Sequence, residues 1–171
     1  MSLDHPRTRS GRPAKPMIPP TAAELRAAQL AHVLARGVRD GEVAVPDALR
    51  VLRHELRRRT TNKKLKIPTR SLGAQAVIDK YGAAGVPKND SDDALHADHV
   101  QPLTEATLRD TDTVEKWVVE LRRVQMVVCV TAAENYRLEV LERNGTTGPG
   151  KYALAGIEFT THQLPWVIET A

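Results

Sequence analysis

The first half of the chain carries apolar residues at helical spacing in three stretches. Thr21 precedes the first stretch, and Glu24 three residues later completes the pattern of a helix capping box. The apolar stripe that follows consists of Leu25, Leu30, Val33 and Leu34, which predicts a helix to about Gly37. Pro46 opens a second helical pattern, PDALRVLRHELRRR, and Ser71 precedes a third, LGAQAVIDKYG, that ends in glycines.

The second half alternates between short apolar runs and helical patterns. LHADHVQPL indicates a short strand that ends near Pro102, and DTDTVEKWVVELRRV indicates a helix. QMVVCVT is rich in β-branched residues and indicates a second strand. Thr131 and Glu134 then form a capping-box pattern ahead of another helix. The pattern therefore predicts strands at 97–101 and 126–130 that pair antiparallel, with the last helix packed across them.

These elements predict an α+β fold that is mainly helical, with a basic helical region followed by a strand-containing unit. The first residues are rich in Arg, Lys and Pro and have little to bury, whereas GVPKNDSDD is a polar, proline-containing linker. The predicted divisions are a flexible basic arm at 1–20, the helical region at 21–84, the linker at 85–93, the strand-containing unit at 94–157 and a C-terminal tail at 158–171.

Charge is distributed unevenly between the two halves. Residues 1–75 hold 16 Lys and Arg against 6 Asp and Glu, whereas residues 76–171 hold 9 against 15. A basic half suits a polyanionic partner such as DNA. The candidate contacts in this half are Arg57, Arg58, Arg59, Lys63 and Lys64. The alternative is a set of solvated helices whose outer faces happen to be basic.

Composition excludes several classes of protein. With 41% hydrophobic and 27% charged residues the chain has the make-up of an ordinary globular protein, and no apolar run approaches the ~20 residues that span a bilayer. No apolar segment of the signal-peptide type is present near the start. The single cysteine, Cys129, excludes an internal disulfide and a cysteine-based zinc ribbon. We therefore expect a cytoplasmic protein without a membrane partner.

The pair Asp98-His99 lies where the first strand should end. Asn135 and Glu134 fall in the first turn of the helix after the second strand, which would cross the strand that bears the pair. Their oxygens and that of Asp98 are ligands that suit Mg²⁺ or Mn²⁺, and histidine readily takes up a proton near neutral pH. Neighbours on a strand point to opposite faces, so both side chains reach one cleft only if the strand ends or twists there.

The segments ADHVQPL, VVCVTAAENYRL and GPGKYALAGI resemble the HNH, or His-Me finger, endonuclease superfamily in its small phage or bacterial form. The resemblance covers about residues 94–157 and implies a ββα-metal unit with an inserted helix. It implies a metal-dependent endonuclease that hydrolyses phosphodiester bonds in DNA, most simply double-stranded. His99 would be the general base, Asp98 and Asn135 the ligands of Mg²⁺ or Mn²⁺, and Glu134 the fallback ligand.

The sequence departs from the family pattern at one important point. About twenty residues with a helix separate the two strands, and no asparagine lies between His99 and Asn135 to orient the histidine. Arg122 and Arg123 end the inserted helix and are candidates to clamp phosphates. They can equally be a basic helix end that complements the helix dipole.

Two further classes of function remain open at this stage. The chain could bind nucleic acid without cutting it, in which case the basic helices would carry the function. It could also be an adaptor whose Leu- and Ala-rich helices bind other proteins. The sequence also leaves open whether the protein forms a homodimer.

Overall fold

The computed structural model describes residues 18–60, 64–88, 90–161, 164 and 166, with residues 56–60 described by their backbone alone. The candidate DNA contacts Arg57, Arg58, Arg59 and Lys63, and nearly all of the predicted arm, therefore lie outside the described side chains. The elements in chain order are α1 Ala22–Arg39, α2 Val45–Thr60, a 3-10 turn Lys64–Lys66, α3 Leu72–Gly85, β1 Leu95–His99, α4 Glu105–Asp110, α5 Val114–Val124, β2 Val127–Thr131, α6 Ala132–Arg143 and α7 Gly150–Leu154.

This mainly helical architecture with one antiparallel strand pair confirms the predicted α+β class. Thr21 and Thr131 each form a complete capping box, the latter with Glu134. The helices at 105–110 and 150–154 were not predicted, because each is too short to show a helical period.

The strand pair holds the register expected of an antiparallel hairpin with a long connection. Leu95 lies opposite Thr131 and His99 opposite Val127, so β1 lies two residues earlier than the predicted 97–101. One sheet face packs against α3, and the other packs against α6 and α7. The predicted antiparallel pairing and the packing of the last helix across it are confirmed.

The helical core lies between α1, α2, α4 and α5, with Trp117 fully buried at its centre. The predicted stripe of α1 is wrong in part, because Leu25, Leu30 and Val33 are exposed. Its buried positions are instead Ala27, Ala28, Ala31, Ala35, Gly37 and Val38. Small side chains let α1 approach α5 closely, so the alanine face gives the tighter contact.

Residues from both sides of the predicted linker at 85–93 share these cores. α1 packs against α4 and α5, and α3 packs against β2. The helical region at 21–84 is therefore joined to the strand-containing unit through buried contacts.

Glu134 joins the N-termini of two helices inside the protein. One of its carboxylate oxygens, Oε2, accepts a hydrogen bond from the Thr131 amide at 2.8 Å and another from the Ser71 hydroxyl at 2.5 Å. Ser71 and Thr131 are the N-cap residues of α3 and α6, so the positive ends of both helix dipoles surround this buried carboxylate. The contact depends on Gly73, where an added Cβ would lie 2.6 Å from Glu134 Oε1.

We therefore expect Gly73→Ala to destabilise the protein by roughly 1–3 kcal/mol, because the new methyl group displaces a hydrogen-bonded, buried carboxylate. Urea denaturation measures the change. Gly150→Ala is the matched control, since nothing lies within 4 Å of its added Cβ, and its stability should change by less than about 0.5 kcal/mol. Equal effects of the two substitutions would show that the Glu134 contact does not restrict position 73.

Candidate functional site

His99 is the last residue of β1, and its ring is held by the end of α5. Nδ1 lies 2.8 Å from the carbonyl oxygen of Val124. A carbonyl can only accept a hydrogen bond, so Nδ1 carries the proton and Nε2 of the neutral ring keeps its lone pair. Val124 is therefore the orienting group that sequence reasoning did not find.

A cavity of about 330 Å³ opens beside this ring. Its lining residues come from α2, β1, the loop after β1, α5 and α6, and they are Arg53, Ala97, Asp98, His99, Gln101, Pro102, Leu103, Val124 and Glu142. Asp98 and His99 both line it although they are neighbours on a strand. Neighbours on a regular strand point to opposite faces, but β1 ends at His99, so both side chains can reach the same cavity.

Asp98 is almost fully buried and is held by two donors on α7. Its Oδ2 accepts a hydrogen bond from the Tyr152 hydroxyl at 2.5 Å and lies 2.9 Å from Lys151 Nζ. Burial, together with the neighbouring Asp98 carboxylate, raises the pKa of Tyr152 far above its usual range, so this hydroxyl stays protonated and donates. Among the described residues, Asp98 Oδ1 has no hydrogen-bond partner, and Asp98 is one of the residues that line the cavity.

Lys151 has no exposed surface, yet its ammonium is fully satisfied. Nζ lies 2.9 Å from Asp98 Oδ2, 2.5 Å from Glu142 Oε1 and 2.9 Å from the carbonyl oxygen of His99. Three acceptors thus match its three N–H donors. Lys151 itself does not line the cavity, so it holds the two carboxylates from behind.

Glu142, rather than Asn135, is the α6 residue that reaches the cavity. Thr131 pairs with Leu95 at the start of β1, and His99 lies four residues further along the strand. At ~3.3 Å per strand residue, the distance from Leu95 to His99 is about 13 Å. α6 follows directly after its N-cap Thr131 and returns across the sheet at ~1.5 Å per residue, so Asn135 covers only about 6 Å of that distance. Glu142, eleven residues beyond Thr131, covers about 16 Å.

The two predicted ligands on α6 make other contacts. The Asn135 side-chain amide donates to Glu139 at 2.9 Å on the outer face of the helix. Glu134 is used by its capping box and by Ser71, as described above. The structure thus brings Asp98 to His99, and it brings neither Asn135 nor Glu134 to the cavity. In the part of the chain that the structure describes, no three His, Cys, Asp or Glu side chains are grouped closely enough to hold a metal ion.

The arginines at the end of α5 are engaged within the protein. Arg122 forms an ion pair with Glu24 at 2.7 Å and donates to the carbonyl oxygen of Ile18 at 2.9 Å, so its guanidinium anchors the start of α1 instead of being free to clamp a phosphate. Arg123 pairs with Glu120 at 2.7 Å and contacts the side chain of Gln101, a cavity residue.

Lys64, in the 3-10 turn, lies near the start of β1 instead of at the cavity. The pKa of His96 is lowered mainly by burial of its ring, and the positive charge of Lys64 lowers it further. The cavity cation is instead Arg53 of α2, a residue that sequence reasoning did not single out. In the sequence, Arg53 is one of several arginines in the same helical pattern, and nothing there distinguishes it from the others.

Among the described residues, no helix combines the length and the apolar character needed to cross a membrane. Comparison of the chain with protein-family models, with curated proteins and with solved structures found no match.

We expect the Glu24–Arg122 ion pair to make a pH-dependent contribution to the free energy of unfolding. The Arg122 hydrogen bond, assisted by Thr21, lowers the pKa of Glu24 from 4.5 to about 2. A carboxyl whose pKa is depressed on folding stabilises the protein above pH 4.5, and this contribution disappears as the pH falls to about 2. Glu24→Gln should therefore cost on the order of 1 kcal/mol at pH 6, since the pair is partly screened by solvent, and almost nothing near pH 2. Denaturant titrations across this range measure the difference. A difference that is constant with pH would contradict the assignment.

We expect substitution of Lys151 to destabilise the protein more than substitution of Glu24. Lys151→Met leaves the carboxylates of Asp98 and Glu142 close together without a cation, and should destabilise the protein by about 3–5 kcal/mol or prevent folding at neutral pH. Lys116→Met removes an exposed ion pair with Asp112 and should cost less than about 1 kcal/mol. Denaturation of both variants at pH 7 makes the comparison, and a mild effect of Lys151→Met would contradict the proposed role of its ammonium.

Proposed function

We propose that the protein is an endonuclease of the HNH type that hydrolyses phosphodiester bonds in DNA, with His99 as its general base. The observation that carries this proposal is the hydrogen bond from His99 Nδ1 to Val124, made at the edge of a cavity that Asp98 and Glu142 share. A general base needs a fixed ring with a free nitrogen lone pair within reach of the reacting water.

In the proposed reaction, His99 Nε2 accepts a proton from a water molecule in the cavity. The water oxygen attacks the phosphorus, and the bond from phosphorus to the 3′ oxygen breaks. The products are a 5′-phosphate and a 3′-hydroxyl, whose proton comes from solvent. The hydrogen bond to Val124 keeps Nδ1 as the donor throughout, and the imidazolium that forms is stabilised by that same carbonyl.

The charge of the cavity supports a divalent cation as the cofactor. Asp98 and Glu142 would repel a phosphodiester unless positive charge lies between them and the phosphate. Both carboxylates lie within 3 Å of one Lys151 nitrogen, so they converge, and Asp98 Oδ1 has no partner among the described residues. Mg²⁺ commonly uses one or two carboxylates together with water and substrate phosphates, which fits this donor set.

We therefore propose Asp98 and Glu142 as the residues that would hold Mg²⁺ or Mn²⁺, with Glu142 in the place predicted for Asn135. A bound ion would neutralise charge on the scissile phosphate and on the leaving oxygen. Lys151 would hold both carboxylates in place from behind, and Tyr152 would fix the rotamer of Asp98.

The preference for DNA rests on the positive charge of residues 1–75. A double-stranded substrate and a cytoplasmic location are parts of the same proposal.

The decisive test is cleavage of supercoiled DNA with Mg²⁺ or Mn²⁺. The wild type should nick or cut it, and EDTA should stop the reaction. His99→Ala should reduce the rate by on the order of 10²–10⁴-fold, the usual range for loss of a general base, while folding and DNA binding persist. His5→Ala, which alters the other Asp-His dipeptide of the chain, should cleave as the wild type does.

The ligands are tested by Asp98→Asn and Glu142→Gln, which keep the side-chain size and remove the charge. Each should raise the Mg²⁺ concentration needed for half-maximal rate, whereas Asn135→Ala should leave it unchanged. If His99→Ala cleaves as fast as wild type, the general-base assignment is wrong. DNA binding that persists in EDTA without any cleavage would favour the non-catalytic nucleic-acid-binding alternative.

A further inference from the structure

Arg53 lines the same cavity as the β1 residues but belongs to a different part of the fold. It lies in the middle of α2, is exposed, and lines the cavity together with His99. Its Nη2 donates to the carbonyl oxygen of Leu103 at 3.2 Å, which holds the side chain against the loop after β1. The guanidinium carries five N–H donors, and in the described part of the chain this is the one hydrogen bond that it makes.

Among the residues that line the cavity, carboxylates outnumber permanent cations. Of the residues that line it, two are carboxylates and Arg53 is the one with a permanent positive charge. Lys151 cannot contribute to binding in the same way, because it is buried behind Asp98 and Glu142. A phosphate that enters the cavity therefore meets Arg53 as the protein's own cation.

We propose that Arg53 binds a non-bridging oxygen of the backbone phosphate that enters this cavity, and so positions the phosphate for attack by water beside His99. The proposal rests on the proposed endonuclease function and assigns its substrate contact. An arginine fork suits this role, since two parallel N–H groups match two phosphate oxygens and fix orientation as well as charge.

This assignment gives the basic helical region a direct part in the site. α2 is joined to the strand-containing unit through the helical core, in which Leu52, next to Arg53, is buried. The position of Arg53 relative to His99 is thus set by packing in the helical core. Residues outside the HNH-like segment at 94–157 would then complete the substrate site.

The test compares two arginines of the same helix. Arg50 lies less than one turn before Arg53, is largely exposed, and pairs with Asp47 at 2.8 Å. Arg50→Ala and Arg53→Ala remove the same charge from α2, so a general electrostatic effect would appear in both, whereas a phosphate contact would be lost only with Arg53. Binding of a fluorescein-labelled duplex is measured by anisotropy in the His99→Ala background, in which the substrate stays intact, with melting curves to confirm folding.

We expect Arg53→Ala to weaken duplex binding roughly ten- to hundredfold, the scale of a lost hydrogen bond to a charged group. It should also lower the slope of log affinity against log salt by about one. Arg50→Ala should change affinity less than about threefold. Arg53→Lys, which keeps the charge without the fork, should fall between Arg53→Ala and the parent. In the active protein, Arg53→Ala should reduce kcat/KM by at least the same factor.

Equal effects of Arg53→Ala and Arg50→Ala would overturn the contact, and the endonuclease proposal would stand if His99-dependent cleavage is still seen. Binding that depends on Arg53 in a protein without cleavage would support the phosphate contact and reject the catalytic role. Absence of both duplex binding and cleavage in the wild type would overturn both proposals.

Discussion

The buried ammonium of Lys151 is the interaction on which the rest of the site depends. It links α7 to the end of β1 through Asp98 and the His99 carbonyl, and to the end of α6 through Glu142. A buried cation is tolerated only when its donors are satisfied and its charge is compensated. Since two carboxylates surround one ammonium, a negative charge remains in excess, and it faces the cavity. The same arrangement that satisfies Lys151 thus places two carboxylates at the cavity, where we propose that a divalent cation binds.

The longer of the two helices between the strands, α5, has two functions in the structure. Trp117 and Leu121 of α5 fill the helical core against α1, and Val124 at its end accepts the hydrogen bond of His99. A short loop would have to fix the histidine with a side chain of its own, whereas here the packing of a whole helix fixes a carbonyl group. The long connection, a departure from the HNH pattern, is therefore compatible with an oriented histidine ring.

Local patterns predicted those features that local interactions determine. The capping boxes at Thr21 and Thr131 are pairs of hydrogen bonds between residues three apart, so their sequence signature marks both helix starts correctly. The pairing of the strands followed from apolar runs of the right length. The buried face of α1 was predicted wrongly in part, because the choice between its leucines and its alanines depends on how closely α5 approaches, and that is a property of the packed core.

The site also combines features that local sequence determines with features that tertiary packing determines. Asp98 and His99 are adjacent in the sequence, so they could be chosen from it. Glu142 and Arg53 come from separate helices, and only tertiary packing brings them to one cavity with Lys151 behind it. Asn135 was chosen for its place in the first helical turn, but a helix rises ~1.5 Å per residue while a strand extends ~3.3 Å, so the residue that reaches the end of a five-residue strand must lie near the end of α6. That ratio makes the length of β1 the quantity that determines which residue of α6 reaches the cavity. A helix ligand can therefore be assigned from such a sequence only after the strand bounds and register are known.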